Sequence, residues 1–139
     1  MAEPVKPELL WERGADGLAW LTLNRPEAGN AISPALGEEL IGRLSDASHD
    51  PLTRVVVLTS TGTRHFCTGA DLAAAGAQPA GVPPDLPERP AGSVARAVAD
   101  GAQRLITSVL DCEKPVIAAV NGTVAGLGCH LAYPGSAAA

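Results

Sequence analysis

The chain has 139 residues, of which 46% are hydrophobic, 18% are charged and only 3% are aromatic. This length and composition predict one globular domain, or part of one, with a core built mainly from aliphatic side chains, and they exclude a disordered chain. The formal net charge of -5 and the absence of any cluster of Lys and Arg argue against nucleic-acid binding.

Cysteine spacing and the N-terminal sequence indicate the compartment. Cys67, Cys112 and Cys129 form no CxxC pair, which argues against a disulfide framework and against a metal site. Residues 1–8 carry prolines and mixed charges instead of a basic patch followed by an apolar run, and no segment reaches the length of a membrane span. We therefore expect a cytoplasmic protein that does not associate with membranes.

The first half of the chain predicts a hairpin, a helix and a strand. Two short apolar runs, 9–12 and 18–23, are separated by the glycines and aspartate of a tight turn. Ser33 followed by Pro34 is typical of a helix N-terminus, and the helix then places four residues on one apolar face: Leu36, Leu40, Leu44 and Ala47. The β-branched run 55–58 predicts a strand that is central in its sheet and covered on both faces.

The second half predicts a loop over 61–70, a mobile Pro/Gly-rich surface segment over 76–92 and a second helix. That helix begins at Ser93, has apolar residues at Val94, Val98, Leu105 and Val109, and ends before Pro115. A buried strand over 116–120 and the start of another helix over 126–132 follow. This order of elements predicts an α/β protein with a layered sheet built from ββα-like units.

The last seven residues, 133–139, do not fit a helix. They combine Tyr-Pro-Gly-Ser with three alanines, and a helix does not continue through such a sequence. We interpret them as an aberrant tail and expect a truncation or a shifted reading frame.

Two glycine-containing segments are candidates for chemistry, and each follows a predicted strand. They are 65–72 (HFCTGADL) and 121–130 (NGTVAGLGCH). Glycine at such a turn allows backbone N–H groups to face a ligand, and two N–H groups aimed at one point form an oxyanion hole. Either segment alone is weak evidence, because glycines in these turns more often serve close packing.

Three motifs in order resemble the crotonase superfamily, the enoyl-CoA hydratases and isomerases. They are Leu23-Asn24-Arg25-Pro26 with Asn30-Ala31, the FxxGAD-type loop at 66–71, and the NGxxxGxG turn at 121–128. The resemblance implies a crotonase-like spiral of ββα units in which residues 1–132 form the N-terminal part, truncated before the C-terminal helical region. It also implies an acyl-CoA substrate, with coenzyme A as part of the substrate and no separate cofactor. Full-length members are expected to form homo-oligomers, as trimers or hexamers.

The resemblance also assigns site residues. It implies that the backbone N–H groups of Ala70 and Leu127 form the oxyanion hole and stabilise an enolate. It further implies contacts with the CoA portion, chiefly through the main chain, from eight residues: Glu27, Ala28, Gly29, Ala70, Asp71, Leu72, Gly126 and Leu127. Arg25 is open to two interpretations, a phosphate contact or the fixing of its loop by bonds to nearby carbonyls.

His130 departs from the hydratase pattern. Similar hydratases carry a glutamate there as one of two acid/base carboxylates, and the second would lie beyond Ala139. The imidazole of His130 is either a general base or a side chain that packs beside the cleft. Asp71 is expected to cap the following helix instead of transferring protons.

The sequence is compatible with two functions. One is an acyl-CoA enzyme that works by enolate stabilisation. The other is an inactive fragment or pseudoenzyme that at most binds CoA or a full-length relative.

Overall fold

The structure, a computed structural model, describes residues 4–75 and 98–133. It begins with a hairpin in which β1 (Leu9–Arg13) pairs antiparallel with β2 (Leu18–Leu23). The turn between them contains Gly17 at a φ of 81°, a backbone conformation that glycine adopts without steric cost. The hairpin predicted from the two apolar runs is confirmed.

Helix α1 (Pro34–His49) begins where the sequence predicted. The side-chain oxygen of Ser33 accepts a hydrogen bond of 3.1 Å from the N–H of Leu36, and Pro34 occupies the first turn. The predicted apolar face is buried, and it forms one core cluster with five sheet residues: Leu9, Leu21, Leu23, Val56 and Leu58. Each fully buried leucine there contributes about 1.5–3 kcal/mol relative to an exposed one.

The main sheet adds β3 (Val55–Ser60) and β5 (Val116–Ala118) to the hairpin, in the order β1-β2-β3-β5. Strand β3 pairs in parallel with β2 on one side and with β5 on the other. The central position predicted for β3 is confirmed, and Val56, Val57 and Leu58 are buried.

Strand β5 is shorter and less buried than the strand predicted over 116–120, so that prediction was wrong. Ile117 is 54% exposed and Val120 is 41% exposed. A continuous apolar run suggested burial on both faces. Ile117 lies in register with Val57 and Trp20 on a sheet face that is partly open within the described residues, since Trp20 is also 39% exposed.

A second, smaller sheet was not predicted. It consists of β4 (His65–Cys67) and β6 (Thr123–Val124), which pair in parallel. The interpretation of 61–70 as a loop is therefore wrong for β4. Strands of three and two residues are too short to show a periodicity, and only their pairing across the chain defines them.

Short helices complete the described chain. α2 (Leu72–Ala75) follows β4, a π-helical segment (Val98–Gln103) leads into α3 (Arg104–Leu110), and α4 (Leu127–Ala132) follows β6. Leu105 and Val109 are buried, as predicted for the second helix. The predicted start of that helix at Ser93, the mobile segment 76–92 and the tail residues 134–139 lie outside the described residues. None of the helices within 4–75 and 98–133 combines the length and hydropathy needed to cross a bilayer.

Candidate functional site

Two loops singled out in the sequence meet at one edge of the small sheet. Strands β4 and β6 run in parallel, so their carboxyl ends reach the same edge. Residues 68–71 follow β4, and residues 125–127 follow β6. The N–H of Ala125 donates a hydrogen bond of 3.0 Å to the carbonyl oxygen of Cys67, which ties the two loops together.

The N–H of Ala70 has no hydrogen-bond acceptor among the described residues. Ala70 and Ile32 form an isolated parallel bridge, but its two hydrogen bonds are made by Gly69 and Asp71, the residues on either side of Ala70. The N–H of Ile32 donates to the carbonyl of Gly69 at 2.8 Å, and the N–H of Asp71 donates to the carbonyl of Ile32 at 2.9 Å. The C=O and N–H of a trans peptide point in opposite directions, so the Ala70 N–H points away from Ile32. It is available to a ligand.

The N–H of Leu127 also has no acceptor within the described part of the chain. Leu127 is the first residue of α4, and the first N–H groups of a helix have no partner inside it. The next two N–H groups, of Gly128 and Cys129, form hydrogen bonds within the same loop. Gly128 donates to the carbonyl of Ala125 at 2.9 Å, and Cys129 donates to the carbonyl of Gly126 at 3.0 Å. Within the described residues, the Leu127 N–H is thus left for a ligand at the start of this helix.

Glycines allow the two loops to touch. A Cβ on Gly69 would lie 3.2 Å from the carbonyl oxygen of Ala125 and 3.4 Å from the nitrogen of Leu127. Gly69 has a φ of 107° and Gly126 a φ of 53°, a region that other residues rarely adopt. Gly69 therefore lies directly against the start of α4. The peptide bond between Gly69 and Ala70 contains the Ala70 N–H.

Asn30 fixes the segment that precedes Ile32. Its side chain is fully buried and its φ is 54°, which asparagine tolerates better than most residues. Oδ1 accepts from the N–H of Arg25 at 2.8 Å, while Nδ2 donates to the carbonyls of Thr61 at 3.0 Å and His65 at 2.9 Å. In the sequence, Asn30 stands out only as part of a motif, which does not predict this role. An asparagine directly after a loop glycine was the available signal.

The guanidinium of Arg25 binds protein groups. Nη1 donates to the carbonyl of Ala31 at 2.7 Å, Nη2 donates to Oδ2 of Asp71 at 2.8 Å, and Nε lies 3.3 Å from Oε1 of Glu8. The side chain is only 16% exposed. Of the two interpretations of Arg25, these contacts favour the fixing of its loop over a phosphate contact.

Asp71 caps α2, as expected. Its Oδ1 accepts hydrogen bonds from the N–H groups of Ala73 at 3.1 Å and Ala74 at 3.2 Å. The hydrogen bond from Arg25 lowers the pKa of this carboxyl most, and the bond from the N–H of Ala74 has the next largest effect. Both oxygens of Asp71 are therefore occupied by bonds that favour the ionised form, which does not suit a proton donor.

The residues predicted to contact CoA lie in neighbouring loops. A 3-10 turn (Pro26–Ala28) ends at Gly29, whose φ is 62°. The carbonyl of Gly29 accepts bonds from the N–H of Thr68 at 3.2 Å and from its Oγ1 at 3.1 Å. Glu27 is exposed, and its Oε2 lies 4.0 Å from Nζ of Lys6. Residues 27–29 are thus tied directly to the loop that contains Ala70 and Asp71.

His130 lies in α4, one turn after Leu127. Its Nδ1 is buried and has no hydrogen-bond partner among the described residues, and the same is true of Nδ1 of His65. Buried polar atoms without a partner are uncommon in proteins. An imidazole nitrogen can accept or donate a hydrogen bond according to its tautomer. The structure is therefore compatible with His130 as a base and with His130 as a side chain that packs beside the cleft.

The cysteines fit a structural role. All three are free thiols, and Cys67 is fully buried. Burial raises the pKa of the Cys67 thiol, which disfavours the nucleophilic thiolate. In the described ranges 4–75 and 98–133, no group of three or more His, Cys, Asp or Glu side chains is placed to hold a metal ion.

Comparison with known proteins gives concordant matches. The family model described as enoyl-CoA hydratase/isomerase matches residues 13–135. The chain is 38% identical over 119 residues to 1,2-epoxyphenylacetyl-CoA isomerase of Escherichia coli, covering 86% of this chain and 42% of the relative. It is 36% identical over 115 residues to crotonyl-CoA hydratase of Syntrophomonas wolfei, covering 83% of this chain and 40% of the relative.

The fold has a close counterpart among solved structures. A crystal structure of enoyl-CoA hydratase from Bacillus anthracis aligns with a TM-score of 0.75 at 31% identity, over 92% of this chain and 45% of that one. The chain therefore spans less than half the length of each of these three proteins.

Proposed function

The chain belongs to the enoyl-CoA hydratase/isomerase family, and on this premise we propose that it binds acyl-CoA thioesters and stabilises the enolate formed from them. In this proposal the thioester oxygen accepts hydrogen bonds from the N–H groups of Ala70 and Leu127. The observation that carries it is that these two groups, on loops in direct contact, both lack an acceptor among the described residues.

The chemistry follows from where charge develops. When a base removes a proton from the carbon next to the thioester carbonyl, an electron pair moves onto the carbonyl oxygen. Two fixed N–H donors stabilise this oxyanion more than the neutral carbonyl, and that difference lowers the barrier. Loss of one such donor typically costs about 10²–10³ in rate.

The CoA portion is assigned to the neighbouring loops. We propose that residues 27–29 and 70–72 contact it, chiefly through main-chain groups. In support, the two relatives described above carry CoA-linked substrates in their names. The bonds between Gly29 and Thr68 also hold these loops side by side. Coenzyme A enters as part of the substrate, and the proposal requires no other cofactor.

His130 is the proton acceptor in this proposal. It lies on the helix that starts at Leu127, three residues later, and residues at this spacing share a helix face. The position carries an imidazole where the resemblance implies a carboxylate. We therefore expect exchange of the acidic proton of an acyl-CoA, a step that needs one positioned base.

A second candidate function is acyl-CoA binding without turnover. It is favoured by the state of Asp71, the carboxylate next to Ala70, because Arg25 and the N-terminus of α2 occupy its oxygens. In that case the two N–H groups hold a thioester that no described carboxylate deprotonates.

Deuterium incorporation into butyryl-CoA in D₂O, followed by mass spectrometry, separates the candidates. Enolate formation predicts incorporation at the carbon next to the carbonyl, with a strong loss in His130→Gln. The matched control is His49→Gln, because His49 is exposed on α1 and, within residues 4–75 and 98–133, its ring bonds the carbonyl of Ser45. Binding without exchange favours the second candidate. Equal affinity for butyryl-CoA and for the thioether S-butyl-CoA, which has no carbonyl oxygen, contradicts both.

A further inference from the structure

The side chain of Arg25 joins the two backbone segments that set the direction of the Ala70 N–H. Its Nη1 binds the carbonyl of Ala31, and its Nη2 binds the carboxylate of Asp71. These two partners flank the bridge between Ile32 and Ala70, one on each segment. A single planar guanidinium thus ties both sides of the bridge together.

The bridge needs such support because it is isolated. It consists of two hydrogen bonds, from Ile32 to Gly69 and from Asp71 to Ile32, and the nearest other bonds between the two segments run from Thr68 to the carbonyl of Gly29. Gly69, with its φ of 107°, gives the following peptide more rotational freedom than another residue would. The peptide that carries the Ala70 N–H is therefore held by few bonds of its own.

Arg25 is itself anchored to the frame of the fold. Its Nε lies 3.3 Å from the carboxylate of Glu8, which also accepts a hydrogen bond from the hydroxyl of Ser33 at the start of α1. Arg25 is 16% exposed and Asp71 15% exposed, so solvent screens their ion pair less than a surface pair. Bonds between charged groups are also roughly twice as strong as neutral ones.

We infer that Arg25 is a positioning residue, which holds the bridge so that the Ala70 N–H keeps the direction required by the thioester oxygen. The inference rests on the proposed function for the identity of that oxygen. In this arrangement Arg25 acts through its contacts with Ala31, Asp71 and Glu8 and does not touch the substrate. A lysine cannot replace it fully, because an ammonium group lacks the planar fork that reaches two partners at once.

The first test uses the ligand-free protein and hydrogen exchange at single amides. In Arg25→Gln and Arg25→Lys, the bonded amides of Ile32 and Asp71 are expected to exchange faster than in the wild type. Amides in the centre of β2 are expected to be unchanged. The matched control is Arg104→Gln, which removes the exposed ion pair of Arg104 with Glu38. Unchanged exchange at Ile32 and Asp71 in both Arg25 variants overturns the inference.

The second test measures polarisation of a bound carbonyl. Cinnamoyl-CoA is conjugated, so hydrogen bonds to its thioester oxygen shift its absorbance to longer wavelength. At saturation, wild type and Arg104→Gln are expected to show the full shift for each bound ligand, and Arg25→Gln is expected to lose most of it. Arg25→Lys should recover only part. Affinity for CoA itself should not change, because Arg25 is not assigned to a phosphate.

The outcomes distinguish this inference from the function on which it rests. A full shift in saturated Arg25→Gln, or weaker binding of CoA with an unchanged shift, overturns the positioning role. Absence of a shift in the wild type contradicts the proposed function, while the exchange data still decide whether Arg25 holds the bridge. If Arg25→Gln fails to fold, Asp71→Asn removes the charged partner but keeps an oxygen to cap α2. Faster exchange at Ile32 in that variant supports the inference, and unchanged exchange overturns it.

Discussion

Gly128 lies so close to Cys67 that a Cβ on residue 128 would stand 2.3 Å from the carbonyl oxygen of Cys67. That oxygen cannot simply move away, because it accepts the hydrogen bond of Ala125 that ties the two loops. The glycine therefore allows the start of α4 to pack on the backbone of β4. It brings the Leu127 N–H to the loop that contains Ala70.

Gly128→Ala is expected to destabilise the chain by about 1–3 kcal/mol, the usual cost of overpacking a tight contact. Gly42→Ala is the matched control, since Gly42 lies in the middle of α1 and no described residue outside the helix backbone comes within 4 Å of its missing Cβ. There the alanine is expected to stabilise by about 0.5–1 kcal/mol. Urea unfolding measures both. Equal effects of the two substitutions would show that the contact with Cys67 does not constrain the fold.

Leu127→Pro removes one proposed oxyanion donor at little structural cost. Residue 127 is the first residue of α4, where proline is well tolerated because its N–H would have no helical partner. Leu127→Ala keeps the N–H and loses the side chain, so it is the control. We expect proton exchange of butyryl-CoA to be about 10²–10³ slower in the proline variant than in the alanine variant. Similar rates in the two variants would rule out a role for this N–H.

Asn30→Ala is expected to cost about 2–4 kcal/mol. The change removes the three hydrogen bonds of a buried side chain. It also leaves at a φ of 54° a residue that has a Cβ but no side-chain hydrogen bond. Asn30→Gly loses the same bonds but tolerates the backbone, so it should be the milder of the two. Thermal or urea unfolding tests this order. Near-wild-type stability in Asn30→Ala would mean that the amide does not hold these loops.

Asp50 provides a pH-dependent contribution to stability. The N–H of Leu52, the hydroxyl of Thr53 and the guanidinium of Arg13 bind its carboxylate and lower its pKa from 3.8 to about 2. The folded pKa is below the unfolded one, so this stabilisation is fully present above about pH 4 and is lost as the pH falls through about 2.

The corresponding measurement compares Tm for wild type and Asp50→Asn across this range. We expect wild type to be the more stable protein at about pH 6, and the difference to shrink steadily toward about pH 2. A difference that stays constant with pH would mean that ionised Asp50 does not contribute to the folded state.

Much of the fold followed from local signals in the sequence. The hairpin and α1 were predicted because turn residues, the Ser33 cap and the spacing of Leu36, Leu40 and Leu44 act within a few residues of one another. The family and the crotonase-like α/β fold, inferred from three ordered motifs, are confirmed. The pair β4 and β6 was missed, because these strands exist only through a pairing between distant segments.

The candidate site was less accessible from sequence. The resemblance pointed to Ala70 and Leu127. No local sequence pattern reveals that the bridge at Ile32 leaves the Ala70 N–H without a hydrogen bond. The hydrogen-bond partners Ala31 and Asp71 lie 6 and 46 residues from Arg25 along the chain, so the two interpretations of Arg25 could not be separated by spacing. The burial of 116–120 was overestimated because an apolar run does not say which faces are covered.

The central claim, that the Ala70 and Leu127 N–H groups bind one thioester oxygen, is tested most directly by NMR of the ¹⁵N-labelled chain. We predict that butyryl-CoA moves the amide protons of Ala70 and Leu127 downfield and that the thioether S-butyl-CoA does not. The amides of Gly128 and Cys129, which are already bonded within their loop, should move little with either ligand. Equal shifts with both ligands, or a response at only one of the two amides, would contradict the claim.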